Sequence, residues 1–420
     1  MLVEFSVENF RSIKQEACLS LVAGPAKERS DTHLVAPTLR KKGGSARPLL
    51  RSAAIYGANA AGKSNLLRAL AVMRGIVLDS SRDAGPIPVT PFLFDSTSRD
   101  QPTTFEIMFV AGGVRYQYGF SATSKVVTEE WLYAWPVGRV QQWIQRSSDD
   151  WKFGDKLTGD KEVWRRATRP DALYLSTAVS LNSEQLKPVF DWFRHTLHVV
   201  VSGTWNTLFS LNRIREEGKS GIIEFLQTAD LAIADLKVIE EEFRPEMLPD
   251  DMPSEVKEQV TKDLAGEPVA ELWLSHDTGR GKPVELNIHD ESDGTQKIFA
   301  LAGPWLDSLQ KGHVVVVDEL HVHLHPTLVK FLVERFHNPD VNTSGAQLIF
   351  STHDTSILSQ DVFRRDQIWF CERDKRQETK LFSLTDFTPR KGVENLERSY
   401  LAGRYGALPY IAPRIAAFKR

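Results

Sequence analysis

The chain has 420 residues, 41% hydrophobic, 10% aromatic and 25% charged, the profile of a globular protein with two or three domains. Lys and Arg number 52 against 55 Asp and Glu, a formal charge of -3; no global basic excess advertises nucleic acid, although a local patch could still bind it. Two cysteines, Cys18 and Cys371, exclude a disulfide framework and a Cys-rich zinc site and point to a reducing compartment, most simply the cytoplasm.

The opening VEFSVENF alternates apolar and polar residues and predicts a strand. Charges interrupt the apolar residues of MLVEFSVENFRS, so the start does not read as a signal peptide. No apolar run approaches the roughly 20 residues of a membrane helix, and no membrane partner is expected. Ala26 to Pro48, rich in Lys, Arg, Gly and Pro, reads as a loop. A short apolar run, Ala53 to Tyr56, ends in a Gly-rich turn that opens into the helical pattern SNLLRALAVMRGIVL. The runs Thr104 to Val110 and Val114 to Phe120, joined by AGG, read as a β-hairpin.

Residues 149–266 are mostly helical in pattern and charged, with a Trp-rich start and the acidic, Pro-interrupted end EEEFRPEMLPDDMPSEVKE. They read as an inserted helical subdomain, without the sustained heptads of a coiled-coil arm. From about Leu272 an α/β texture returns. HVVVVD looks like a fully buried parallel strand, QLIFSTHD repeats the design, and the helical segment Pro326 to Phe336 between them implies a βαβ unit. Ligands of such sheets sit beyond the carboxyl ends of the strands, where both runs place polar residues.

Gly57, Ala58, Asn59, Ala60, Ala61, Gly62, Lys63 and Ser64 fit GxxxxGK[ST] without a gap, between a strand and a helix. Glycines let the backbone wrap a phosphate, successive N–H groups point inward, and the helix N-terminus adds partial positive charge. In this reading ATP is the ligand. Lys63 reaches its β- and γ-phosphates, Ser64 ligates Mg²⁺, and Asn65 completes the nucleotide-binding run. Asp318-Glu319 after VVVV reads as a Walker B motif: Asp318 holds Mg²⁺ directly or through water, and Glu319 polarises the attacking water as general base or positioning group. The adjacent acid pair argues for hydrolysis over simple binding. His353, at the end of the next buried strand, is placed to hydrogen-bond the γ-phosphate or the attacking water. Ser292, Gly294 and Thr295 lie just before the helical stretch KIFALAGPWLDSL and offer a further anion site.

The order GANAAGKS, helical insertion, ESDGTQK, VVVVDE and STHD resembles ABC-type ATPases, in the branch containing the RecF, structural-maintenance-of-chromosomes and OLD ATPases. The start VENFRSIK is similar to that branch's N-terminal strand and phenylalanine-arginine turn. RYQYGF with the following EEWLY, DELHVHLHP, STHD and the closing YLAGRYGALPYI resemble a narrower family, the AAA-type, ABC-like ATPases of bacterial defence operons, such as the ATPase subunits of RloA, AbiL and PARIS (AriA) systems. The resemblance spans nearly all of the chain except the insertion. It implies an α/β, ABC-type P-loop ATPase head with an N-terminal β-rich lobe in residues 1–148, an inserted helical subdomain in 149–266, and a C-terminal part of the head in 267–420 with signature, Walker B and His switch.

The resemblance also implies that Ser292, Gly294 and Thr295 close on the γ-phosphate held by the opposite subunit, giving a homodimer with composite ATP sites and leaving a higher oligomer open. Asp293 and Thr295 depart from the transporter form LSGGQ and look like the defence-family variant. Gln117 lies in the hairpin motif without being assignable as a Q-loop residue, and Arg11 is open to two readings, nucleotide contact or surface charge. His321, His323 and His325 would share one face of a strand, but with no carboxylate or Cys partner beyond the Walker acids a separate metal site is disfavoured. The leading expectation is a dimerising ATPase that acts as a switch or sensor of phage defence and controls a separately encoded, nuclease-like effector. Alternatives are a RecF-like DNA-binding ATPase of repair or recombination, and a nucleotide-gated scaffold. A nuclease of the OLD type is disfavoured, because residues 355–420 are too few for a further domain.

Overall fold

The computed structural model describes residues 1–39, 47–148, 150–201, 207–229, 231–245, 248, 252–264, 268–279, 281–388 and 394–409. The chain divides into two compact units, residues 1–203 with 307–420, and residues 204–306.

Two large sheets build most of the first unit. Five strands of the six-stranded sheet run parallel in the order Leu197–Val200, Val314–Val317, Gln347–Ser351, Ser52–Tyr56 and Ile368–Arg373; Thr379–Ser383 closes it antiparallel. Val314–Val317, Gln347–Ser351 and Ser52–Tyr56 are buried at every residue. Continuous apolar runs are what a parallel strand needs when both faces are covered. Helix Lys63–Asp79 follows the Ser52–Tyr56 strand and buries Leu66, Leu67, Leu70, Met73, Ile76 and Val77, spaced by threes and fours along one face.

The seven-stranded sheet is antiparallel and forms the N-terminal β-rich lobe, in the order 150–153, 141–147, 127–135, 114–122, 103–111, 2–8 and 17–20. Along Thr103–Ala111 burial alternates residue by residue, so one face packs inward. Phe105, Ile107 and Tyr118 of this sheet share a core with Leu66, Leu70, Val314 and Val316. The expected hairpin is present, with Thr103–Ala111 paired to Val114–Ala122. RYQYGF, in its second strand, and EEWLY, in the next strand Val127–Trp135, meet at a buried carboxylate. Glu130 accepts the Tyr118 hydroxyl at 3.0 Å and the backbone N–H groups of Tyr174 and Leu175 at 2.7 and 3.0 Å. Burial raises the Glu130 pKa, against the pull of Arg146 and these donors. Leaving such a buried acceptor short of a donor costs about 1–3 kcal/mol, so Glu130 staples its strand to helix Tyr174–Ser180.

The stretch read as a loop, 26–48, contains a helical turn, Ser30–His33, and a short strand, Leu34–Val35, paired with Leu49–Leu50; its residues 40–46 lie outside the described set.

The second unit has its own three-stranded antiparallel sheet, in the order Ile233–Glu242, Pro268–His276 and Val284–Asn287. Helices Thr207–Glu217, Ser220–Thr228 and Ser254–Leu264 accompany it, with the first turns of Asp293–Lys311. This compact unit does not coincide with the 149–266 span read from the sequence, whose end residues, Asp149 and Gly266, lie outside the described set. The aromatic-rich start of that span belongs to the first unit, because its large side chains complete that core. Trp192 stacks on Phe109 with centroids 4.2 Å apart, and Phe193 packs edge-on to Tyr118 at 6.0 Å. The later part is mainly helical, as expected, with the strand Ile233–Glu242 among its helices. Among the described residues no helix is long and apolar enough to cross a membrane.

Candidate nucleotide site

The P-loop leaves the carboxyl end of the buried strand Ser52–Tyr56. Gly57 and Gly62 have φ of 148° and 107°, in the region L side chains avoid. A Cβ on Gly57 would collide with the Cys371 carbonyl, and one on Gly62 with Thr379 Oγ1. Glycine is therefore required twice, by conformation and by space. Gly62 caps the helix Lys63–Asp79 without a side-chain hydrogen bond, so the first-turn N–H groups face outward as an anion cradle.

Lys63 is buried, and its ammonium donates back to the carbonyls of Gly57 at 2.8 Å and Ala58 at 3.0 Å. Burial lowers its pKa, opposed by Cys371, Asp318 and Glu319. Those loop carbonyls hold the ammonium over the bend of the P-loop.

A cavity of about 530 Å³ opens here, lined by Asn59 through Asn65, by Glu319 and His353, by Arg11 and Ser12, and by Thr90, Pro91, Leu93 and Phe94 with Arg373. The P-loop lysine, the second Walker acid and the strand-end histidine thus share one space. Ser64 is on its wall. Asn65 is there too, and its side chain donates to Ser12 Oγ at 2.7 Å, tying the Phe10–Ser12 turn to the P-loop helix. Thr379 Oγ1 donates to the same Ser12 oxygen at 2.8 Å, and its contact with the Ala61 carbonyl is 3.0 Å.

Asp318 follows the Val314–Val317 strand. Ser351, at the end of the neighbouring parallel strand, donates to Asp318 Oδ1 at 2.5 Å and accepts the Glu319 N–H at 2.8 Å. Glu319 itself has φ of 52°, a left-handed turn that directs its side chain away from the strand line. Its carboxylate is 3.7 Å from His353 Nε2. Burial, then Lys63 and His321, lowers the His353 pKa, with Glu319 and Asp318 opposing. A neutral imidazole at that distance makes a polar contact, not an ion pair.

Ser292, Gly294 and Thr295 belong to the second unit, and none of them is among the residues lining the cavity. Ser292 Oγ accepts the Thr295 N–H at 3.2 Å and meets Thr295 Oγ1 at 2.9 Å at the start of helix Asp293–Lys311. Glu291, just before them, holds His276 Nε2 at 2.6 Å.

Of the remaining sequence candidates, Arg11 stands on the cavity wall with φ of 52°. Burial and the nearby Arg68 lower its pKa. Gln117 is half-buried within the seven-stranded sheet, opposite Tyr133, and is not in the cavity wall. His325 caps helix Pro326–His337, accepting the Thr327 N–H at 3.3 Å, and His321 stands edge-on to His353 with centroids 5.6 Å apart.

Sequence reasoning missed the outer wall. Arg373 lies over the Phe94 ring at 5.6 Å, and Asn9 organises that loop by accepting Phe92 N–H at 3.0 Å and donating to the carbonyls of Ser98 and Gln101 at 2.9 Å each. No local pattern marks these residues. The Asn in VENF was the one signal within reach.

The hydroxyl of Ser64 and the carboxylate of Asp318 are hard oxygen donors of the kind that suits Mg²⁺, and the cradle that a Cβ at Gly57 or Gly62 would spoil suits a phosphate chain. The residues present fit both groups.

Residues 52–359 match the family described as "AAA domain, putative AbiEii toxin, Type IV TA system". No curated protein matches the chain. Among solved structures it is similar to an SMC head bound to the C-winged helix domain of ScpA, at 14% identity over 91% of this chain and 97% of that one, with a TM-score of 0.39. It is also similar to the SMC head domain from Thermotoga maritima, at 11% identity, 91% and 98% coverage and a TM-score of 0.39. The recombination mediator RecF in its ATPrS form matches at 13% identity, 91% and 98% coverage and a TM-score of 0.35. The family match takes in more than half of the chain, which therefore belongs to that AAA family, and its fold is α/β, with the P-loop at the end of a buried parallel strand.

Proposed function

We propose that this member of the family is an ATP-hydrolysing switch or sensor subunit of a phage-defence system, acting as a homodimer that holds or releases a separately encoded, nuclease-like effector. The observation that carries the hydrolytic part is the shared cavity. Lys63, Glu319 and His353 line it together, and Ser351 ties the Asp318 side chain to the Glu319 backbone.

In this proposal Lys63 leaves its loop carbonyls for the β- and γ-phosphates of ATP. Gly57 through Ser64, with Asn65, wrap the phosphate chain, and Arg11 contacts it from the opposite wall. Ser64 and Asp318 hold Mg²⁺, which would neutralise phosphate charge. Glu319 accepts a proton from the attacking water or orients it, and neutral His353 donates or accepts beside it. Ser292, Gly294 and Thr295 act in trans on the γ-phosphate of a second copy, so each site is composite. Hydrolysis then changes which surfaces the dimer presents, and an effector with different affinity for the two states follows that change. The defence setting is supported by the toxin and toxin–antitoxin terms of the family description, and by the resemblance of DELHVHLHP, STHD and YLAGRYGALP to ATPase subunits of defence operons. Tyr410 and Ile411, which end that last motif, lie outside the described residues.

The test is co-purification of the chain with the product of the neighbouring reading frame, ATP turnover of the pair, and phage challenge of each single deletion. Lys63→Ala should abolish ATP binding in calorimetry, turnover and protection together. Full protection by this chain alone, or tight DNA binding that supports repair without a partner, would replace the effector reading with a RecF-like one.

A further inference from the structure

The closing motif YLAGRYGALP reaches the nucleotide site from behind. Ala407 has φ of 58°, strained for a residue with a Cβ, and its carbonyl accepts two donors: the Ala58 N–H at 2.9 Å and the Tyr400 hydroxyl at 3.0 Å. Ala58 in turn gives its own carbonyl to Lys63 Nζ at 3.0 Å. A chain of hydrogen bonds therefore runs from Tyr400 through Ala407 and Ala58 to the P-loop lysine.

Ala407 is held in that position by a buried node. Glu394, 2% exposed at its side chain, accepts the Tyr405 hydroxyl at 2.7 Å and pairs with Arg365 at 3.0 Å and with Arg404. The Tyr405 ring stacks on Phe370 at 5.5 Å, and Phe370 is in register with Tyr56, the residue before the P-loop.

The same short helix, Leu396–Leu401, also touches the loop that carries His353. Glu397 accepts the Thr355 hydroxyl at 2.9 Å, two residues beyond His353. Glu397 and Tyr400 are three apart, so they share a helix face. One of them binds the His353 loop and the other the carbonyl that anchors the P-loop.

We propose that the segment Glu394–Ala407 is a positioning element of the nucleotide site, setting the P-loop through Tyr400 and Ala407 and the His353 loop through Glu397 and Thr355. The proposal rests on the ATP reading above. It assigns the two contacts different kinetic consequences, because one supports the phosphate cradle and the other the group beside the attacking water.

The experiment compares ATP affinity by calorimetry with turnover at saturating ATP in the purified chain, together with its partner if turnover requires one. Tyr400→Phe removes only the hydroxyl and keeps the ring; it should weaken ATP binding roughly three- to tenfold while turnover at saturation holds. Thr355→Val should leave ATP affinity unchanged and lower turnover about tenfold. Thr355→Ser and Glu397→Gln, which keep donor and acceptor, should restore most of it. Loss of thermal stability alone in Tyr400→Phe and Thr355→Val, with affinity and turnover as in the unmodified chain, would overturn the proposal. So would equal losses in Thr355→Val and Thr355→Ser. An unmodified chain that neither binds nor hydrolyses ATP would overturn the ATP reading first, and this proposal with it.

Discussion

The Ser351 hydroxyl lies 2.5 Å from the Asp318 carboxylate, joining the ends of two neighbouring parallel strands. The same oxygen accepts the Glu319 amide, so one side chain fixes both Walker acids. Ser351→Ala leaves a carboxylate short of a donor and an N–H short of an acceptor. Each deficit costs about 1–3 kcal/mol where water is excluded. We expect turnover to fall at least tenfold and the melting temperature to drop by several degrees, read by a phosphate-release assay and a thermal melt. Wild-type turnover in Ser351→Ala would show that Asp318 and Glu319 are positioned by other means.

Glu319→Gln should keep ATP binding, because the cradle of Gly57 to Ser64 is untouched, and slow hydrolysis by orders of magnitude. The ATP-bound closed dimer should accumulate, visible as a mass increase in light scattering on adding ATP. Unaltered turnover in a folded Glu319→Gln protein would remove this residue from its assigned role.

Sharing of sites between subunits is tested by complementation. Lys63→Ala and Ser292→Arg should each be inactive alone. In a mixed dimer one interface carries both defects and the other two intact halves, so mixing should recover part of the activity after subunit exchange. Absence of recovery with exchange shown independently would mean that a single chain completes its site.

Acid should destabilise the first unit. His33 stacks on His337 with centroids 3.9 Å apart, and burial lowers the His33 pKa to about 4 and that of His337 well below its ordinary value. Burial, with His198 next, lowers His313 to about 4 as well. In the unfolded chain such imidazoles titrate near 6.5, so between about pH 6.5 and 4 the unfolded state binds more protons. Their contribution is complete above the unfolded pKa and declines as pH falls, at up to about 1.4 kcal/mol per pH unit per histidine. Urea midpoints at pH 7.5 and 5.0 measure this, and an equal midpoint at both would contradict neutral, buried rings.

How much of the site could be read in the sequence depended on how local each part is. The P-loop lies within one stretch, and its glycines, lysine and serine stand where the spacing placed them. Asp318 and Glu319 were legible because a run of valines ends at them. Their dependence on Ser351 was not, since it arises from register between strands and no spacing encodes it. Arg373 and Phe94 meet across the cavity mouth from distant segments with no motif around either. The 149–266 segment misled for a related reason: Trp192 and Phe193 look like part of an insertion in sequence, and only the packing against Phe109 and Tyr118 assigns them to the first unit.

The strand order also dictates a schedule of synthesis. The P-loop strand Ser52–Tyr56 lies between Gln347–Ser351 and Ile368–Arg373, both translated far later. A ribosome that has released residues 57–64 has delivered the P-loop sequence with neither flanking strand. The N-terminal sheet and helix Lys63–Asp79 can assemble early, whereas the cradle waits for the last parallel strand. Nascent chains stalled before residue 347 should therefore be retained poorly on immobilised ATP, and chains extended beyond residue 407 well; equal retention would mean that the cradle forms without its neighbours. Nucleotide occupancy would then report that both strands flanking the P-loop strand have been made and paired.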